Sequence, residues 1–211
     1  MMLEGELTPS QYDLRESWSS CVEPIYNQGN CTAAYAFSTA SVLSERFCIS
    51  SNGEETISLS AQDIISCDPK NNACDGGDID LVWNNIKEIG IVDNTCFPYS
   101  SEGHEVPDCD SKCENDKTYK VSHFCATTAA EGIKKEIHRN GPVVSAMIVY
   151  SDFLGYAGGI YKPHATATRF SGAQAVEIMG WGVDADTNEE FWIIKNSWGE
   201  DWGEEGYARV A

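Results

Sequence analysis

Basic residues are scarce. The chain carries 14 Lys and Arg against 33 Asp and Glu, a formal net charge of −19. A surface this acidic repels phosphate backbones and anionic lipid heads, which argues against nucleic acid as a partner. Long apolar runs are missing too. None approaches the ~20 residues that a membrane helix needs, so no membrane span is expected. Paired CxxC or CxxH units are absent; the tightest spacings are Cys67 to Cys74 and Cys109 to Cys113. That excludes the usual structural zinc patterns, and neither a metal nor a cofactor is expected. There is no internal repeat and no low-complexity tract. The N-terminus, Met1-Met2-Leu3-Glu4-Gly5-Glu6, has neither a basic region nor an apolar core, so it is not a signal peptide. A fragment or a processed chain is the expectation.

What is present points to a packed protein. Of 211 residues, 42% are apolar and 22% charged, the balance of a globular chain of one large domain or two small ones. Nine cysteines without metal spacing read as disulfides formed in an oxidising compartment. Nine is odd, so at least one thiol is left over.

The first half has helical periodicity. Phe37, Ala40, Leu43 and Phe47 share a stripe over 34–47. Ser60, with Asp63 three residues on, reads as a helix start ahead of Ile64 and Ile65. Ile79, Val82, Trp83 and Ile86 fall together over 78–88, and Gly90 closes that segment. Thr128-Ala129-Ala130-Glu131 reads as a capping box ahead of Ile133 and Ile137, a helix ended by Asn140-Gly141-Pro142. Beyond this point the period changes. Val143 to Val149, Ala175 to Met179 and Phe191 to Ile194 read as strands, the last two joined by polar Asp184 to Asn188. Helices first and strands later predict an α+β fold, with two lobes as one option. Eight of the nine cysteines lie between Cys21 and Cys113, and none follows Cys125.

Five segments, in order, carry a resemblance. Gln28-Gly29-Asn30-Cys31-Thr32-Ala33-Ala34-Tyr35-Ala36-Phe37-Ser38 resembles the nucleophile segment of papain-like cysteine proteases. Cys74-Asp75-Gly76-Gly77 resembles the family's CNGG loop. Asn140-Gly141-Pro142-Val143 is similar to its NGP turn, continued by Tyr150-Ser151-Asp152-Phe153. Asn196-Ser197-Trp198-Gly199 and Trp202-Gly203-Glu204-Glu205-Gly206-Tyr207 resemble its C-terminal signature. Gly180-Trp181-Gly182-Val183, and Cys21 and Cys48 flanking the first long helix, are similar to the cathepsin B-like branch. The likeness runs from about Leu7 to Ala211.

The resemblance implies a papain-like two-lobe fold with an interlobe cleft: a helical, disulfide-rich lobe over 16–115, and a β-barrel-like lobe over 116–211 to which residues 1–15 cross. It implies the pairs Cys21–Cys48, Cys31–Cys74, Cys67–Cys109 and Cys96–Cys113, with Cys125 free. It places the nucleophile position at Ala34 and the base position at Gln174. A methyl group cannot attack a carbonyl, and a carboxamide does not titrate near neutral pH. Asn196, which would orient the base, and Gln28, the side-chain donor of the oxyanion hole, are kept. Gly76, Gly77, Trp198 and Tyr35 would line the substrate cleft, Tyr35 standing where the family usually has Trp. Departures at positions 34, 35 and 174 together favour natural loss of activity over laboratory substitution. The expectation is a pseudoprotease that binds a peptide or protein, or serves structurally. The alternative is a cysteine-type peptidase, active through another nucleophile or seen in a disabled form.

Four histidines are candidates for a replacement base. His164, in Lys162-Pro163-His164, reads as a solvated loop residue. His123 would share a strand face with Cys125, whose thiol is expected to be buried and inert. His104 stands in the 12 residues between Cys96 and Cys109, with Glu102, Glu105 and Asp108. That stretch is shorter than the occluding loop of cathepsin B, which implies an open cleft end. A chain ending at Ala211 would also lack the tail that walls the pocket for the second substrate residue. Asn30-Cys31-Thr32 is an N-glycosylation sequon. By the same resemblance the protein would be secreted, or endo-lysosomal or vacuolar.

Overall fold

The computed structural model describes residues 8–114 and 117–211. The start of the likeness at Leu7 and the lobe boundary at 115/116 lie outside those residues. Five α-helices carry the first two-thirds of the described chain. They are α1 (Leu14–Ser17), α2 (Ala34–Ser50), α3 (Ala61–Cys67), α4 (Ile79–Glu88) and α5 (Ala130–Asn140). Six strands form one sheet: β1 (Tyr12–Asp13), β2 (Val143–Tyr150), β3 (Ile160–Tyr161), β4 (Arg169–Val183), β5 (Glu190–Lys195) and β6 (Tyr207–Val210). Its order is β1-β4-β5-β6-β3, with β2 on the first part of β4. Every pairing is antiparallel except β3 with β6. The fold is mixed α+β, with the sheet curled into a half-barrel.

The longest helix, α2, is the axis of the molecule. The sequence predicts one apolar stripe; instead Ala34 to Glu45 are all buried. Small residues at 34, 36, 38, 40, 41 and 44 let neighbours approach on every side, α3 and α4 on one and the sheet on another. Ser38, Thr39 and Ser44 return their hydroxyls to carbonyls four residues back, which satisfies them without water.

Two further starts follow their cap chemistry. Ser60 accepts the Asp63 N–H at the head of α3, and Asp78 accepts the Asp80 and Leu81 N–H groups at the head of α4. The capping box before α5 does not form. Ala129 is the N-cap, with no side chain on the free amides, and Thr127 instead accepts the Ala129 N–H. At the other end Gly141 closes α5 at φ +98°. Arg46 of α2 pins that turn by donating to the Pro142 and Gly141 carbonyls and pairing with Glu136.

Apolar side chains gather in two main clusters. One surrounds Phe37, Ile64, Val82 and Ile86 among the helices; the other surrounds Phe153, Val176, Trp181 and Ile194 on the sheet. A third, with Leu14 and Met179, joins α1, α2 and β4. Four disulfides link Cys21–Cys48, Cys31–Cys74, Cys67–Cys109 and Cys96–Cys113, all in the helical part. No described helix is long and apolar enough to cross a membrane.

Candidate functional site

Ala34 is the first residue of α2, with its methyl group buried. Ala175, next to Gln174 on β4, belongs to the same apolar cluster, so the head of α2 and the middle of β4 meet here. Gln174 is buried, and its amide N–H donates to Asn196 Oδ1 (3.0 Å) and Gln28 Oε1 (3.3 Å). Gln28 Oε1 also accepts the Ser197 hydroxyl at 2.7 Å. Two donors on that oxygen fix the amide's orientation. Gln28 Nε2 is thereby turned to the Cys31 carbonyl, at 2.9 Å. The oxyanion-donor role implied for Gln28 therefore needs the side chain to leave this bond. Asn196 Oδ1 accepts a second N–H, from Ser197, while its Nδ2 is buried without a partner among the described residues.

Three carboxamides and a hydroxyl make up this network. It holds no thiol, imidazole or carboxylate, so it can donate and accept hydrogen bonds but cannot take up and return a proton near neutral pH.

The glycine rim sits beside it. Tyr35 is buried and donates its hydroxyl to the Ala73 carbonyl at 2.9 Å. Burial raises its phenol above the ordinary value. A Cβ on Gly77 would lie 2.7 Å from both the Tyr35 ring and the Asn71 side-chain oxygen, so the ring and the glycine fit only together. Gly76 turns the chain at φ +105°. Trp198 leans on Phe153 and Trp202, edge to face, inside the sheet's aromatic cluster.

None of the four histidines joins the Gln28–Gln174–Asn196 network. His104 is exposed and bridges the Asn30 carbonyl (3.1 Å) and the Asp75 carboxylate (3.6 Å) across the Cys31–Cys74 bond. His123 pairs with Ser122, His138 packs edge-on against Tyr12, and His164 meets Thr166 in its loop. Cys125 is the free cysteine, and it departs from expectation. It is exposed, not buried, and 121–129 is irregular rather than a strand. Asn30 and Thr32 of the sequon are exposed, around a buried Cys31. Among the described residues, one grouping of metal-type ligands appears: Asp63, Cys67 and Cys109. The two cysteines are bonded to each other and the Lys112 ammonium sits on Asp63, so the group is a disulfide seat and not a metal site.

Sequence reading missed Ser197 as the second donor to Gln28. It also missed Glu45, Glu177 and Lys195, buried behind the network. Their signal was available: one charge inside the apolar run Ala175 to Met179, and another closing the run Phe191 to Ile194.

A long helix packed along a curled sheet, with an amide network where the head of α2 meets β4, makes a papain-like fold. Residues 8–211 match the family model described as "Papain family cysteine protease", and the chain belongs to that family. Its relatives are cathepsin B-like. Cathepsin B-like CP3 of Giardia intestinalis is 35% identical over 96% of this chain and 69% of its own length. Cathepsin B-like cysteine proteinase 6 of Caenorhabditis elegans is 34% identical over 96% of this chain and 62% of that one. Among solved structures, procathepsin B S9 from Trypanosoma congolense superposes with a TM-score of 0.88 at 32% identity, covering 99% of this chain and 73% of that one.

Proposed function

We propose that this chain is a pseudoprotease of the cathepsin B-like branch, which acts by holding a peptide or protein in its cleft. The observation that carries the reading is the chemistry at the head of α2. Ala34 stands where the resemblance puts the nucleophile, and Gln174, locked by Gln28 and Asn196, stands where it puts the base. In a catalytic unit that acts together, loss of one member removes most of the rate, and here two are gone. Cys125, the free thiol, lies on an exposed irregular segment and has no place in the network. That speaks against an active peptidase using a different nucleophile.

Cleft features that need no thiol are kept. The Gly76–Gly77 backbone offers a short edge for an extended peptide, and the amide of residue 34 remains at a helix N-terminus. Residues 16–115 and 116–211 are the proposed lobes on either side, with 1–15 crossing. Four disulfides and cathepsin B-like relatives support a secreted or endo-lysosomal setting, in which Asn30 would be a glycan acceptor. The test is hydrogen exchange with an extended peptide added in excess. Binding in the cleft slows exchange at 76–77 and at the head of α2. Unchanged exchange there, across peptides of varied sequence, leaves a structural role alone.

A further inference from the structure

Three buried ionisable side chains lie between α2 and the sheet, and the amide network does not use them. Glu45 comes from α2; Glu177 on β4 and Lys195 on β5 are register partners facing it. Their side chains expose 0%, 1% and 4% of their surface. The Lys195 ammonium donates to Glu45 Oε1 (2.8 Å) and Ser41 Oγ (2.9 Å), and the Glu23 backbone N–H reaches the same Glu45 oxygen at 2.9 Å. Glu177 fares worse: its nearer oxygen is 3.7 Å from the ammonium. Glu45 Oε2 and both Glu177 oxygens have no hydrogen-bond donor among the described residues.

Two carboxylates and one ammonium leave one negative charge in the interior, and a buried charge without partners is costly. A single proton removes that charge and gives one of the orphan oxygens a donor to face. We propose that Glu45, Glu177 and Lys195 form an acid-set latch between α2 and the sheet. The two carboxyls hold one proton in the folded chain and surrender it to solvent as the pH rises, which loosens the contact.

The electrostatics agree. Burial, then the facing Glu177, hold the Glu45 carboxyl well above the usual carboxylate range, against the pull of Lys195. Burial opposes the Lys195 charge, but the two carboxylates outweigh it, so the ammonium persists. The other groups facing the cluster are Glu23 and Tyr26 from the segment before α2, Tyr207 from β6, and Arg15 stacked on the Tyr207 ring. Glu23 takes the Tyr26 and Ser58 hydroxyls. Burial raises both phenols, and Arg15 is held cationic by Asp13. A cavity of about 20 Å³ adjoins Ser41, Glu177, Lys195 and Asn196, space for one water. The latch thus borders Asn196 and, through it, Gln174.

A carboxyl that binds its proton more tightly when folded adds stability that is complete below its unfolded value, near pH 4.5. That stability is lost as the pH climbs through the folded value, at about tenfold in the folding constant per pH unit. The test is urea unfolding of the whole chain from pH 5 to 8, with Glu177→Gln and Glu45→Gln beside wild type. Wild type is expected to lose tenfold or more in its folding constant across that range. Either variant leaves one carboxylate facing one ammonium, neutral without a proton, and the slope should flatten. A flat wild type, or a variant that keeps the wild-type slope, overturns the latch. Should neither variant fold, calorimetric unfolding of wild type at about pH 5.5, in buffers of different ionisation heat, counts protons directly. Net proton release is expected; no release overturns the proposal.

Discussion

At the scale of single residues, the site turns on what an amide can and cannot do. Gln174 donates to Asn196 Oδ1, but its amide carries no proton that titrates near neutral pH. Placing a thiol opposite it does not rebuild the chemistry. In Ala34→Cys the helix N-terminus would lower the thiol pKa somewhat, but no imidazolium would hold the thiolate. Iodoacetamide labelling of residue 34 at pH 6 is therefore expected to be slow, rising only as the pH approaches that of an ordinary thiol. Fast labelling at pH 6 would mean that the network supplies a positive partner. Cys125 is exposed, so the labelled site must be located by peptide mapping. The residues of this network were legible one by one in the motifs around Gln28, Ala34, Gln174 and Asn196. Their orientation was not. That Gln28 turns its N–H inward follows from the Ser197 hydroxyl, which comes from 169 residues away and leaves no local pattern.

Elements are legible in the sequence where capping or apolar period is local. Ser60, Asp78 and Gly141 mark helix ends as their chemistry requires. The errors came from tertiary context. Thr128 looks like a cap, but the turn closed by Thr127 starts α5 one residue later. The apolar stripe on α2 hides the fact that its polar face is buried too, against β4 and β5. Gly141 gives a direct check of the α5–β2 junction. At φ +98°, a Cβ there would lie 2.7 Å from Ile49 of α2. Gly141→Ala is expected to destabilise the fold by about 1–3 kcal/mol, seen as a lower urea midpoint. An unchanged midpoint would mean that the turn relaxes freely. Disulfide pairing was legible only through resemblance, since eight cysteines allow many connectivities. Cys31–Cys74 spans 43 residues and ties the head of α2 to the glycine rim. Replacing both cysteines by Ala should cost about 4 kcal/mol on the chain-entropy account, and denaturant unfolding of the variant measures it.

At the scale of the whole molecule, two sets of carboxyls pull stability in opposite directions with pH. The Thr95 hydroxyl on Asp93, the His164 amide on Asp152 and the Thr187 amide on Asp184 lower those carboxyls, and Arg209 lowers Glu204 against its burial. Groups lowered in this way lend stability that is present above their unfolded values and is lost as the pH falls through the folded ones. The proposed Glu45–Glu177 latch works the other way and weakens the fold toward neutrality. The urea midpoint is therefore expected to peak in mildly acidic solution and to decline on both sides; a midpoint that rises steadily to pH 8 would contradict this. A net charge of −19 opposes self-association and repels anionic partners.

We propose a cleft that keeps its backbone form but no longer carries catalysis. Peptidase activity on a fluorogenic dipeptide substrate, measured side by side for wild type and for Ala34→Cys/Gln174→His, tests it most directly. The double variant regains a nucleophile and a base oriented by Asn196, and oxyanion donors worth ~10²-fold or more can act once Gln28 turns from the Cys31 carbonyl. The expected result is no turnover by wild type and weak turnover by the double variant. Wild-type protein that cleaves as fast as the double variant would contradict the pseudoprotease reading.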